Sequence, residues 1–252
     1  MPAASELLRR LPALGNPGPL LWVAATLATI AGSLSMQDMG EVPMPGGWTL
    51  STTWMPMCGQ SWAGAAASFT GMWVVMMVAM MLPAVLPQLR YRRPASAMAA
   101  GAGYFFVWTV LGVIIFALGA VLTQALLQLN TVARTVPVLS GLVVLLAGVF
   151  QFTRWKARHL ACCRQPITRL PTQAMAAWHH GLQLGIHCMC SCAGLTTLLL
   201  VLGVMNLHVM AIVTAAITSE RWAHDGERVA RITGAVMVVT SLLLIGRAVG
   251  AG

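Results

Sequence analysis

The chain has 252 residues, of which 58% are hydrophobic and only 8% charged, with a formal net charge of +9. A soluble domain carries about 25% charged residues, so composition excludes a water-soluble globule and points to an all-α, polytopic membrane bundle embedded in a lipid bilayer. The excess of positive charge does not imply nucleic acid, because the basic residues stand in clusters between apolar runs, as in the loops on one face of a multi-span protein.

Seven apolar segments can be laid along the chain, each near the roughly 20 residues a spanning helix needs. The first runs from Leu20 to about Met36 behind Arg9 and Arg10. It reads as an uncleaved helix, although Ala31-Gly32-Ser33 also offers the small residues of a signal cleavage site. With the Met-, Trp-, Pro- and Gly-rich loop that follows, it forms an N-terminal region, 1–64, ahead of a six-helix membrane domain over 65–252. The loop holds Met39, Met44, Met55, Met57 and Cys58, with Met36 just before it. Thioethers clustered on an oxidising face suit Cu(I), since they lose no proton and form no disulfide. Trp48, Trp54 and Trp62 read as interfacial anchors.

The second segment covers about Ala65 to Leu89 and is closed by Arg90, Arg92 and Arg93. Met72, Met76 and Met80 recur every four residues, with Met77 and Met81 beside them. Such a stripe is a set of soft donors for Cu(I); it is equally the way methionine fills gaps between helices. Pro83 cannot donate to the Ala79 carbonyl, which is expected to be freed while the helix bends.

The third and fourth segments run from about Ala97 to Leu127 and from Pro137 to about Phe152. A basic loop follows, in which Arg154, Lys156, Arg158, Arg164 and Arg169 surround His159, Cys162 and Cys163. If the loop is helical, His159 and Cys163 share a face and present two ligands; otherwise its arginines hold anionic lipid and the thiols are incidental.

The fifth segment, about Gly181 to Val204, contains His187-Cys188-Met189-Cys190-Ser191-Cys192. Ionisable and soft polar side chains are expensive at membrane depth, and four of them fall here within six residues. Thiolate with imidazole suits Cu(I), zinc or iron and not magnesium or calcium; the bland alternative is cysteine as a small hydrophobe. At about 100° per residue, Cys188 and Cys192 share one face, and His187 and Cys190 point to a neighbouring sector. One helix therefore supplies two or three ligands, and Met76 or Met80, at similar depth, are expected to face the thiols.

A tight turn at Met205-Asn206-Leu207 leads to a sixth segment, His208 to about Ser219, then a charged loop from Glu220 to Arg231 and a seventh segment, Ile232 to Val249. Glu220 is expected to pair with Arg221 or Arg228, or to handle protons. With the amino terminus cytoplasmic, 13 of the 15 basic residues fall inside, Arg134 and Arg247 being the exceptions. Five of the six cysteines then lie on or near a reducing face, which favours thiols or metal ligation over disulfides. The chain shows no nucleophile elbow, P-loop or dinucleotide fingerprint and no converging pair of carboxylates. Hydrolase and nucleotide-driven pump chemistry lose support.

Several stretches taken together resemble a bacterial family of predicted metal-binding integral membrane proteins. They are Met72-Trp73 through Pro83, Gly103-Tyr104 with Trp108, Gln151 through Lys156 to Cys163-Arg164 and Pro166, the cysteine run, Gly203 with Met205 and Asn206, and Glu220. Two departures stand out. The family has a cysteine pair where Ser191 and Cys192 stand, with glycine at the place of Cys190, and a cysteine where His159 stands. The resemblance implies copper handling in a bacterial inner membrane, in some members as a copper chaperone. It leaves four functions to separate: Cu(I) storage or delivery to a partner cuproprotein, copper transport, a membrane metal-dependent oxidoreductase, and a structural assembly subunit. A thiol oxidase would need paired outer cysteines, and Cys58 stands alone there.

Overall fold

Long apolar runs with no water to satisfy their backbone must close their hydrogen bonds internally, and helices do so within one segment. In the computed structural model, which describes residues 18–37, 41–44, 48–56, 59–85, 94–164, 173–204 and 206–250, almost every described segment is helical. The helices are α1 (Gly18–Gln37), α2 (Trp62–Val85), α3 (Pro94–Gln128), α4 (Asn130–Phe150), α5 (Arg154–Arg164), α6 (Ala174–Leu202), α7 (Leu207–Trp222) and α8 (Gly226–Gly250). Six of them, α1, α2, α3, α4, α6 and α8, are long and apolar enough to cross a membrane. The protein is a multi-pass, all-α membrane bundle.

The expected count of seven spans is not reached on length, because α7 has 16 residues. It nevertheless belongs to the bundle, lying against α2, α6 and α8. Gly203 holds φ at 109°, a left-handed value that favours glycine, and lets the chain turn back. Asn206 then caps α7, its side-chain oxygen accepting from the amides of His208 and Val209 at 3.1 and 3.3 Å.

Two segments read as loops carry structure of their own. The connection after α1 contains an antiparallel hairpin, β1 (Glu41–Met44) with β2 (Trp48–Ser51), paired from Glu41 with Ser51 to Met44 with Trp48. Its tryptophans tie it down: Trp48 Nε1 donates to the Ala133 carbonyl at 2.9 Å, and the Trp54 ring lies 5.1 Å from that of Phe69. The basic loop is the amphipathic helix α5, whose buried residues Lys156, Leu160 and Cys163 follow the spacing of one helical face. This helix packs across α6, α7 and α8.

The carbonyl freed by Pro83 has found a partner. Trp22 of α1 donates its indole N–H to Ala79 O at 3.0 Å, so the carbonyl that Pro83 cannot meet becomes a joint between two helices. Close by, a Cβ on Gly32 would stand 2.8 Å from the Met72 terminal methyl, which places Met72 in the α1–α2 contact. Helices α3 and α6 pack together along much of their length. At Gly185 an added Cβ would come within 3.0 Å of the Tyr104 carbonyl. Small residues permit such backbone approach between membrane helices, and it carries the Tyr104 side chain to the cysteine face of α6.

Candidate metal centre

The residues of this centre come from four helices. On α6, Cys188 and Cys192 lie one turn apart, their Sγ atoms 3.9 Å from each other, as the spacing required. A zinc–thiolate bond measures about 2.3 Å, so two sulfurs at this separation can share one ion without backbone movement. Both side chains are buried. Helix α5 lies beside them in matching register. His159 faces His187, with Nδ1 atoms 2.9 Å apart, and one turn further along Cys163 faces Ser191, Sγ to Oγ 3.9 Å. Ser191 Oγ is in turn 3.7 Å from Cys192 Sγ. A ladder of soft and polar groups therefore runs from the half-buried histidine pair to the buried thiol pair.

Two hydrogen-bonding groups converge on Cys188. Tyr104 Oη of α3 stands 2.9 Å from its sulfur, and Arg221 of α7 donates through Nη2 at 2.7 Å. Arg221 is 7% exposed, and its Nε and Nη1 have no hydrogen-bond partner among the described residues. A guanidinium donor aimed at a sulfur stabilises it as thiolate, to which a phenol hydroxyl then donates. Neither role follows from sequence spacing, since Tyr104 lies 84 positions and Arg221 33 positions from Cys188.

Glu220 does not pair with Arg221 or Arg228. Its carboxylate accepts from Lys156 Nζ through both oxygens at 2.8 Å, with the two side chains 1% and 2% exposed. Lys156 also donates to Gln151 Oε1. The reason is location: Arg228 is exposed and bonded to Asp225 at 3.6 Å, whereas α5 carries Lys156 inward to the end of α7. The chain's single lysine, which the sequence left without a role, fastens α5 over the thiols. Arg164 closes the same helix by donating to the carbonyls of Ala223 and His224 beyond the end of α7.

Around this face, burial moves two groups on α5. Desolvation, helped by neighbouring His187, holds His159 below its usual value of 6.5, so at neutral pH it offers a lone pair. Burial pushes the Cys163 thiol up to about 11, against the opposing pull of Arg221. Cys163 is therefore protonated where its neighbours on α6 are met by positive charge.

Met76, Met77, Met80 and Met81 are buried in the same core as Cys163, Cys188 and Cys192. Helix α2 joins that core through α3 and α7, each of which touches both α2 and α6. Cys190 is half-buried and Cys162 is exposed; His179, His208 and His224 are exposed. Met55 is half-buried, whereas Met39, Met57 and Cys58 lie outside the described residues. Among the described residues, no three or more of His, Cys, Asp and Glu form a ready-made cage for one ion. The donor set is two thiols, with a third and two imidazoles adjoining. The two buried thiols by themselves are fewer than the four ligands a structural zinc takes.

Over residues 70–244 the chain matches the model of the PpoB2 family, described as copper chaperone. No curated protein and no solved structure matches it. The matched span includes every residue of the ladder and both groups that meet Cys188. The chain belongs to the PpoB2 copper chaperone family.

Proposed function

We propose, from membership of that family, that this protein takes Cu(I) as cargo on Cys188 and Cys192 and passes it to a partner cuproprotein. The observation that carries the reading is the buried thiol pair, 3.9 Å apart, with Arg221 donating to one sulfur and the Tyr104 hydroxyl in hydrogen-bond contact with it. Thiolates select Cu(I) by softness, and a positive donor at the sulfur favours the deprotonated ligand that binding requires. His159 and His187, then Cys163, serve as the approach to the pair from the α5 side. Met76, Met77 and Met80 are secondary soft donors in the same core, and Cys162 and Cys190 flank the approach. The distribution of basic residues supports a bacterial inner-membrane orientation with the amino terminus and α5 cytoplasmic. Met57 and Cys58 would then belong to an exchange platform on the opposite face. Thiolates bind more tightly than thioethers, so unaided metal flow runs towards the cysteines, and outward delivery needs the partner or a conformational change.

The test is metal analysis of the detergent-purified protein prepared without oxygen. The expected result is near-stoichiometric copper, lost in the Cys188→Ser, Cys192→Ser double variant while its helicity is unchanged. Copper retained in that variant, or iron in the wild type, would refute the assignment. Reporter fusions at Gly47 and Gln165 should report opposite faces.

A further inference from the structure

Arg221 brings a permanent positive charge to 2.7 Å from the Cys188 sulfur in a core where it is 7% exposed. A guanidinium does not lose its proton in a protein, and an unbalanced buried charge is costly. The adjacent carboxylate leaves that charge over, because Glu220 is already matched one-for-one by the Lys156 ammonium on both its oxygens. Among the described residues no ion pair includes Arg221. Besides Glu220, which is already matched by Lys156, the acidic groups around it are Cys188, Tyr104, Cys192 and Cys163. Its Nε and Nη1, on either side of the nitrogen that reaches Cys188, lack hydrogen-bond partners among the described residues. A cation with unused donors, set among thiols, is a place prepared for more negative charge than Cys188 alone supplies.

We propose that Arg221 is the built-in counter-ion of a bis-thiolate site and determines its specificity for a monovalent metal. The inference rests on the proposed Cu(I) function and assigns what makes the site choose. On binding, Cys188 and Cys192 each lose a proton to solvent, and each sulfur forms one bond to the ion. Two thiolates, one Cu(I) and one guanidinium then sum to zero charge in a dry core. A divalent ion on the same ligands leaves one positive charge uncompensated, and zinc also asks for four ligands. The second thiolate answers the unused donors of Arg221. Tyr104 keeps its proton and donates to the Cys188 sulfur.

Charge balance predicts a reversal of sign that a packing role would not produce. Cu(I) affinity is measured by anaerobic competition with a chromogenic Cu(I) chelator. Arg221→Gln alone should weaken binding at least about a hundredfold, the low end for unpairing a buried charge. Cys192→Met, which replaces a thiolate with a neutral thioether, should also weaken it. Made on top of Cys192→Met, however, Arg221→Gln should tighten Cu(I) binding, because that pair of changes restores neutrality. Arg221→Lys keeps the charge and should stay within about threefold of wild type, a smaller change than breaking a buried pair brings. Zn(II) affinity, read in parallel, should rise relative to Cu(I) in Arg221→Gln. Loss of Cu(I) on adding Arg221→Gln in both backgrounds would overturn the proposal, and so would a tenfold loss in Arg221→Lys; the lysine variant decides the matter if the glutamine variant does not fold. A wild-type protein that takes no Cu(I), or whose copper survives loss of both Cys188 and Cys192, defeats the underlying function instead.

Discussion

Removing Lys156 tests the architecture over the thiols most directly. Its ammonium meets both oxygens of Glu220 at 2.8 Å, and the two side chains are 1% and 2% exposed, so water offers no compensation and little screening. Lys156→Met keeps most of the aliphatic stem and strands the carboxylate, a loss of about 3–5 kcal/mol for breaking a buried pair. Making Glu220→Gln as well removes both charges, and the double variant should recover to within about 1 kcal/mol of wild type, because a buried pair is worth little relative to neutral side chains. The coupling between the two sites should therefore exceed about 2 kcal/mol. Unfolding by denaturing detergent in mixed micelles gives these differences, and alkylation of Cys163 gives a local readout, since Lys156 and Cys163 lie on the same buried face of α5. The single variant should expose Cys163 and the double variant should re-cover it. Equal stability of the single variant and wild type, or no recovery in the double, would refute the view that this ion pair clamps α5 onto α7.

Trp22→Phe removes the 3.0 Å bond to Ala79 O and should destabilise the α1–α2 contact by about 1–3 kcal/mol, the cost of leaving a buried acceptor unmet; adding Pro83→Ala, which lets α2 bond that carbonyl itself, should recover most of the loss in the same unfolding assay. Gly185→Ala puts a Cβ 3.0 Å from the Tyr104 carbonyl and should cost about 1–3 kcal/mol by overpacking, with weaker Cu(I) binding as Tyr104 moves from Cys188. Because His159 is held below 6.5 by burial and by His187, the folded state resists a proton that the unfolded state accepts. Its contribution to stability is present above pH 6.5 and is lost as pH falls through that value towards the lower folded one. Amide exchange in α5, corrected for its intrinsic rate, should therefore quicken on acidification, and His159→Gln should flatten the response. Alkylation should reach exposed Cys162 first, and Cys163, with its thiol pushed up to about 11, should stay slow until the solution is strongly alkaline.

Much of the molecule was legible in the residues because it follows from short-range rules. A chain 58% hydrophobic and 8% charged has to satisfy its backbone inside its own helices. Helical spacing put Cys188 and Cys192 on one face, and Pro83 left the Ala79 carbonyl without its usual partner. These statements depend on atoms within a turn or two of each other, and the structure keeps them. What meets each face depends on residues far apart in sequence. The tie of Trp22 to Ala79 spans 57 positions, that of Lys156 to Glu220 spans 64, and that of Tyr104 to Cys188 spans 84. No periodicity records such pairings. Glu220 was matched to nearby arginines because proximity in sequence was the available guide; the fold instead buries α5's lysine against it and turns Arg221 to the thiols. The sequence marks Glu220 as needing a partner, but the burial that makes Lys156 and Arg221 consequential belongs to the fold. Which partner each received was decided by the way α5, α6 and α7 pack, since only there do desolvation and distance act on the same atoms.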